Sequence, residues 1–142
     1  MDYSIKYIEA YTNAFVRYQN KVAKTPNETI CFWKDFVKDA IGFYEYSPPE
    51  FHNDIDVSRS IIDKLLVDYE LLKSSEHKLF IEKINIIDDY FRENTFENPA
   101  WSNLDSEWYH KRVLKKAGES YATFFNNHFE KDYGVKVEII EV

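Results

Sequence analysis

The chain has 142 residues, of which 44% are hydrophobic and 30% charged, so it can form one folded domain over residues 1–142 and is too apolar to be disordered. A single cysteine excludes an intramolecular disulfide and a cysteine-based zinc site, and three glycines leave no glycine-rich phosphate loop. No basic leader or membrane-length apolar stretch is present, so we expect a cytoplasmic protein with no membrane partner.

The net charge of −7 is concentrated in the middle of the chain. Residues 1–49 carry six basic and six acidic residues, residues 50–110 carry six against fourteen, and residues 111–142 carry six against five. A field of this sign repels nucleic-acid phosphate, so we expect no direct nucleic-acid binding, and it attracts a basic protein. A solvated acidic face that serves solubility is the alternative interpretation.

The first two predicted elements are helices. Apolar residues at steps of three and four predict a helix from about residue 3 to about residue 24, on the seam Ile8, Tyr11, Phe15, Tyr18 and Val22. The first seven residues also alternate as a strand does, so a strand there remains open. Thr25 to Glu28, with Pro26 second, is a capping box that begins a helix ending near Tyr44. Cys31 lies in its apolar pattern and is expected to be buried.

A loop is predicted from Ser47 to about Asp56, because Pro48 and Pro49 do not continue the preceding helix. Two apolar runs at helical spacing then predict a helical hairpin over 55–94, interrupted at Ser74 and Ser75. Its apolar positions are Ile62, Leu65, Leu66, Tyr69 and Leu72 in the first run, and Phe80, Ile84, Ile87 and Phe91 in the second.

The last third of the chain is predicted as a loop, a long helix and a strand. The loop runs from Thr95 to Asn103 and contains Trp101. The helix begins at residue 102 or 103, contains Gly118 and ends at Gly134. Residues 135–142 alternate as a strand does, and this strand needs a partner: the N-terminal residues, a second copy of the chain, or another protein.

Two constellations could carry metal chemistry. Glu107 and His110 have the Glu-x-x-His spacing of di-iron bundles, but no second such pair exists in the chain. His52, Asp54 and Asp56 are hard-metal ligand types in the predicted loop, but helix capping explains the same residues. We therefore predict no catalytic residue, no bound metal and no cofactor.

These observations predict an all-α fold, an irregular bundle of about five helices with a short C-terminal β-strand. The expected function is stoichiometric binding of a basic protein, most specifically as an immunity or antitoxin protein that neutralises a nuclease-type toxin. A homodimer through the C-terminal strand is compatible with this. The alternatives are a phage-type DNA-mimic inhibitor and a helical metal-binding enzyme. The candidate partner-binding residues are Asp54, Asp56, Asp63, Glu70, Glu82, Asp89, Glu93 and Trp101.

Overall fold

A computed structural model describes residues 3–19, 22–98, 107–133 and 136–141 of the chain. These residues form six helices and four short strands, so the predicted all-α class with a small β element is confirmed. None of the helices in these ranges is both long and apolar enough to cross a membrane. The helices are α1 (Ile5–Gln19), α2 (Pro26–Gly42), α3 (Pro48–Leu66), α4 (Tyr69–Leu72), α5 (His77–Glu93) and α6 (Glu119–Tyr133).

The chain divides into two compact units. Unit 1 comprises Met1–Asp35 and Val57–Asp88, and unit 2 comprises Phe36–Asp56 and Asp89–Val142. Helices α2, α3 and α5 each contribute residues to both units. The prediction of one domain over residues 1–142 stays a prediction.

Helix α1 buries part of the seam that the sequence predicts. Tyr11 and Phe15 are buried, together with Tyr7 and Ala14. The helix ends at Gln19 rather than near residue 24, and Val22 lies outside it, exposed to solvent. The chain is helical from Ile5, and Tyr3 and Ser4 before it form no strand, so over the described residues the strand alternative is wrong.

The predicted capping box begins α2. The Thr25 backbone N–H donates to the Glu28 carboxylate at 2.9 Å, and the Glu28 N–H donates to the Thr25 hydroxyl at 3.2 Å. The bonds satisfy N–H groups that have no partner inside the helix. Ile30, Trp33, Val37 and Ala40 are buried on one side of α2. The expectation for Cys31 is wrong, because it lies on the exposed side of α2.

The loop predicted from Ser47 to Asp56 is wrong, because α3 begins at Pro48. Ser47 acts as the N-terminal cap: its hydroxyl accepts the Glu50 N–H at 3.4 Å and donates to the Glu50 carboxylate at 3.1 Å. Proline at the first position of a helix loses no hydrogen bond and has a helical φ. The two prolines therefore start a helix as well as preventing α2 from continuing.

The central hairpin is confirmed in its second helix and corrected in its first. In α5 the predicted apolar positions Phe80, Ile84, Ile87 and Phe91 are all buried. Helix α3 ends at Leu66, and the Asp68 side chain caps the separate short helix α4 by accepting the Leu71 N–H at 3.0 Å. This break turns the predicted core residues Tyr69 and Leu72 to solvent.

The core of unit 1 contains an ion pair. Arg59 is buried and donates two hydrogen bonds to the Asp88 carboxylate, from Nε at 3.1 Å and from Nη2 at 2.9 Å. The Trp33 indole N–H donates to the same carboxylate at 3.0 Å. Each of these hydrogen bonds offsets part of the free-energy cost of removing the Arg59 and Asp88 charges from water.

The long helix predicted from residue 102 or 103 is wrong over residues 108–118. A short 3-10 turn (Trp108–Lys111) is followed by β2 (Arg112–Leu114), which pairs antiparallel with β1 (Thr95–Glu97). Cross-strand contacts explain the strands: Thr95 and Leu114 are opposed and both buried, and the Arg112 guanidinium donates to the Thr95 hydroxyl at 2.9 Å. Trp101 and Gly134 lie outside the described residues.

The C-terminal strand finds its partner within the chain. Strand β4 (Glu138–Ile139) pairs in parallel with β3 (Lys116–Ala117). The Glu138 N–H donates to the Lys115 carbonyl at 2.9 Å, and the Ile140 N–H donates to the Ala117 carbonyl at 2.8 Å. Gly118, which was expected inside a helix, lies between β3 and the first residue of α6.

Candidate protein-interaction surfaces

Helix α5 exposes a mixed acidic and apolar surface opposite its buried side. We define the α5 outer face as Glu82, Ile86, Asp89, Tyr90 and Glu93, all of which are exposed. They recur at steps of three and four, so they follow one side of the helix. The Ile86 side chain is 70% exposed and that of Tyr90 is 43% exposed.

The charge of the α5 outer face is only partly neutralised by the chain itself. Within the described ranges, Glu82 and Glu93 have no side-chain ion pair. Asp89 accepts one hydrogen bond from Arg92 at 3.2 Å, and both side chains are exposed. A surface pair of this kind contributes about 0–1 kcal/mol to stability, so Asp89 can exchange Arg92 for a basic group of another protein.

Two other predicted residues are paired within unit 1. The Arg59 guanidinium reaches Asp63 at 2.7 Å in addition to Asp88, which draws Asp63 into the structural ion pair. Glu70 accepts from Lys73 at 3.2 Å in an exposed pair three residues apart. Asp63 is therefore poorly suited to bind a partner, whereas Glu70 remains at the surface.

Asp54 and Asp56 were predicted in a loop, and both lie in α3 instead. Asp54 accepts the Tyr44 hydroxyl at 2.7 Å, and burial together with this bond raises the pKa of Tyr44. Asp56 lies 3.0 Å from His110 Nε2. Neither residue caps the central hairpin, because the helix that contains them began a turn or two earlier. Trp101, the last predicted contact, lies outside the described residues.

The predicted residues do not all come together in one unit. Asp63, Glu70 and Glu82 belong to unit 1, while Asp54, Asp56, Asp89 and Glu93 belong to unit 2. The α5 outer face is the part of the prediction that one helix arranges by itself.

The positions of the candidate metal ligands bear on the two metal sites considered from the sequence. Glu107 precedes the short 3-10 turn and His110 lies inside it, so the two do not have α-helical spacing. His52 lies in α3, where burial, aided by the nearby His110, lowers the pKa of the imidazole to about 4. Among the described residues no group of three or more His, Cys, Asp and Glu side chains is placed to hold a metal ion.

Sequence reasoning missed an acidic cavity in unit 2. We call it the C-terminal cavity, of about 510 Å³, and its lining residues are Phe43, Glu45, Glu119, Ile139, Ile140 and Glu141. Its glutamates come from segments with balanced charge, so no charge run marks them. A second surface cavity, of about 530 Å³ in unit 1, has Lys6 and Lys73 facing Glu70 and Glu76, so its charges cancel.

No family model, no curated protein and no solved structure matches this chain. Its function must therefore be inferred from its own residues.

Proposed function

We propose that the protein is a stoichiometric protein-binding inhibitor, most specifically an immunity or antitoxin protein that neutralises a basic nuclease-type toxin. The observation that supports this proposal is the α5 outer face, in which exposed carboxylates flank an exposed Ile86. The proposal does not involve a catalytic residue or a cofactor of this chain.

The apolar part of the face would supply affinity. Ile86 and Tyr90 lie one helical turn apart, so a partner that covers one would also cover the other. Removing such side chains from water is favourable by roughly 25 cal/mol per Å² of apolar surface. Tyrosine is also enriched among residues that dominate interface energies, because it adds a large rigid surface and a hydroxyl.

The acidic part of the face would supply orientation and speed. Glu82 and Glu93 lie at the two ends of the exposed stripe, with no ion pair of their own in the part of the chain that the structure describes. Complementary charge raises association rates and fixes the register of two surfaces. A basic partner therefore fits this face better than an acidic one.

Among basic proteins, a nuclease-type toxin is the specific partner that we propose. A protein that cleaves nucleic acid needs a positive surface for phosphate, and an acidic inhibitor can cover that surface. This step rests on analogy of charge and size.

Charge reversal tests the proposal. The tagged protein would capture its partner from its native cells, and the triple variant Glu82→Lys, Asp89→Lys and Glu93→Lys would be compared with it. We expect at least about a hundredfold loss of affinity and a flatter dependence of the association rate on salt.

A control variant changes the charge equally elsewhere. Glu9, Asp35 and Asp39 are exposed on α1 and α2, and reversing all three to lysine gives the same net charge. This control should retain most of the affinity. Equal losses in the two variants would mean that net charge alone drives binding, and the α5 outer face would no longer be supported.

A further inference from the structure

We propose that Tyr7 and His77 form a pH-sensitive latch in unit 1, which holds residues 5–11 of α1 against the start of α5 and opens when His77 binds a proton. Opening uncovers aromatic side chains that the chain buries at neutral pH. The latch does not depend on the function proposed above, because α1 contributes no residue to the α5 outer face.

The latch is a buried hydrogen bond between two helices. The Tyr7 hydroxyl lies 2.6 Å from His77 Nδ1, and the two residues are 2% and 1% exposed. On the other side of the ring, His77 Nε2 lies 3.2 Å from the Leu66 carbonyl. A carbonyl only accepts, so the neutral ring carries its hydrogen on Nε2, and Nδ1 accepts the hydrogen of the Tyr7 hydroxyl. Both nitrogens are therefore satisfied while the imidazole is neutral.

A proton on His77 disrupts this arrangement. The imidazolium ring donates from both nitrogens, so Nδ1 no longer accepts the Tyr7 hydroxyl hydrogen, which loses its acceptor in a buried site. The new charge also lies at the N-terminal end of α5, where the helix dipole disfavours a cation. Burial accordingly lowers the pKa of His77 below that of a free histidine. The latched form therefore requires the neutral imidazole.

Asp68 favours protonated His77 electrostatically, but its carboxylate is occupied by other groups. It accepts hydrogen bonds from the Arg17 guanidinium, the Tyr18 hydroxyl and the Leu71 N–H. Burial alone would raise the pKa of Asp68, but these bonds outweigh burial and lower the pKa. Asp68 therefore stays ionised where His77 takes up a proton, and Arg17 and Tyr18 keep the C-terminal end of α1 attached.

The other charged groups near the latch belong to the surface cavity of unit 1, which Tyr7 also lines. They are Lys6, Glu70, Lys73 and Glu76. The Glu76 carboxylate accepts both the N–H and the hydroxyl of Ser4 at 2.6 Å. Over the ranges that the structure describes, no ion pair connects any of these groups to His77. Charges beside an open cavity are screened by solvent, so they do not replace the lost hydrogen bond.

The position of Tyr7 explains why protonation moves α1. Because Tyr7 both bonds His77 and lines the cavity, its displacement opens the imidazole to solvent. The Tyr3 ring stacks on the Tyr7 ring with centroids 5.2 Å apart, so the two rings leave together. Tyr11, one turn further along α1, packs its ring against the edge of Phe80 at 5.2 Å. The opened form therefore exposes an aromatic surface that is buried in the latched form.

The pH range of the latch follows from the two protonation states of His77. A histidine open to solvent titrates near 6.5, whereas burial lowers the pKa of His77 in the latched form. Below pH 6.5 the opened form therefore binds more protons than the latched form. Each pH unit over which the latched imidazole stays neutral favours opening by up to about tenfold. The latch is complete above about pH 6.5 and is lost as the pH falls through the lowered pKa.

Amide hydrogen exchange of the full chain at pH 7 and pH 5 tests the latch. After correction for the direct effect of pH on exchange, the opening constant of residues 5–11 should rise at least about threefold at pH 5. Residues 58–63 of α3, in the same unit, should keep an opening constant at least about tenfold lower than that of residues 5–11. This difference separates a local opening from unfolding of the whole unit.

The variant His77→Gln should abolish the pH response of residues 5–11. Glutamine does not titrate, yet it donates to a carbonyl and accepts from a hydroxyl as the neutral imidazole does. His128→Gln is the matched control: His128 is exposed on α6 in unit 2, so this variant should keep the full response. If His77→Gln did not fold, the NMR titration of the His77 ring in the unaltered chain should have its midpoint below pH 6.5 and coincide with the opening of residues 5–11.

Three results would overturn the proposal. One is an unchanged pH response of residues 5–11 in His77→Gln. Another is an equal opening constant for residues 5–11 and 58–63 at pH 5, since the whole unit would then unfold together. The third is a His77 ring that takes up its proton with no increase in the exchange of residues 5–11.

Discussion

In unit 1 the carboxylate of Asp88 lies in the core between Arg59 and Trp33, whereas in unit 2 the carboxylates of Glu45 and Glu119 lie around a surface cavity. Asp88 comes from the acid-rich middle of the sequence, whereas Glu45 and Glu119 come from segments in which acidic and basic residues are nearly balanced. The excess of acid in a stretch of sequence therefore does not measure how much charge the folded chain offers to a partner.

The cores of the two units also differ in their buried charge. Unit 2 buries a cluster of aromatic rings around Phe51, which contacts the rings of Phe36, Tyr44, Phe91 and Tyr121. Unit 1 also buries aromatic rings, among them Tyr7, Tyr11 and Phe80. Its core contains the Arg59–Asp88 ion pair as well, which makes it sensitive to a single substitution.

The largest expected effect on stability comes from loss of the Arg59–Asp88 ion pair. Replacing Asp88 by alanine removes the buried carboxylate that pairs with Arg59, and we expect a loss of about 3–5 kcal/mol in unfolding free energy. Chemical denaturation would measure it. The neighbouring control Asp89→Ala should change stability by less than about 0.5 kcal/mol.

A double variant sharpens this prediction. Replacing Arg59 by methionine and Asp88 by leucine removes both charges, so much of the lost stability should return. If the single and double variants were equally unstable, the ion pair would not be the cause of the sensitivity of unit 1.

In unit 2 we expect a smaller loss of unfolding free energy, caused by Gly118→Ala. The added Cβ would meet the Tyr44 carbonyl at 2.9 Å and Glu45 Cα at 3.1 Å, and backbone atoms cannot rotate away. We expect a loss of about 1–3 kcal/mol in unfolding free energy, because the backbone of residues 44–45 would have to move away from residue 118.

The matched control is Gly42→Ala, where nothing lies within 4 Å of the added Cβ. Alanine favours a helix over glycine by up to about 1 kcal/mol, so this variant should be neutral or more stable. A destabilised Gly42→Ala together with a stable Gly118→Ala would contradict the close approach at Gly118.

The smallest effect concerns a feature that the two units share. Burial lowers the pKa of His77 in unit 1, and burial with the nearby His110 lowers that of His52 in unit 2 to about 4. An unfolded histidine titrates near 6.5, so below that pH the unfolded chain binds more protons. Stability should therefore be complete above about pH 6.5 and fall as the pH drops toward 4.

We expect His52 to account for about 1–2 kcal/mol of this fall, after allowance for its partial exposure. Urea denaturation at several pH values would measure it, with His52→Gln as the comparison. The variant should lose less stability between pH 6.5 and pH 4.5 than the original protein does. Identical pH profiles would show that His52 is not held neutral by the fold.

Local signals in the sequence were reliable where one segment decides its own structure. The capping box at Thr25 and Glu28 and the apolar spacing of Phe80, Ile84 and Ile87 needed no distant residue, because helix ends and helix faces are set within a few positions. The prolines after Ser47 were misinterpreted, since the same pair can end one helix and begin the next.

Distant pairing decided the rest. Residues 112–117 have an acceptable helical pattern but form strands, because β1 and β4, from other parts of the chain, provide hydrogen-bonded partners. For the candidate sites, the sequence predicted the α5 outer face in part, through Glu82, Asp89 and Glu93. It did not predict the C-terminal cavity, whose lining comes from three separate segments.

The sequence alone determined that the chain is mainly helical, which surface of α5 is buried, and how many acidic groups it carries. These properties follow from residue spacing and composition. Only the tertiary structure decided which carboxylates are neutralised within the chain and which remain open. An ion pair forms between side chains a few ångströms apart in space, and residues as distant as Arg59 and Asp88 meet only after folding.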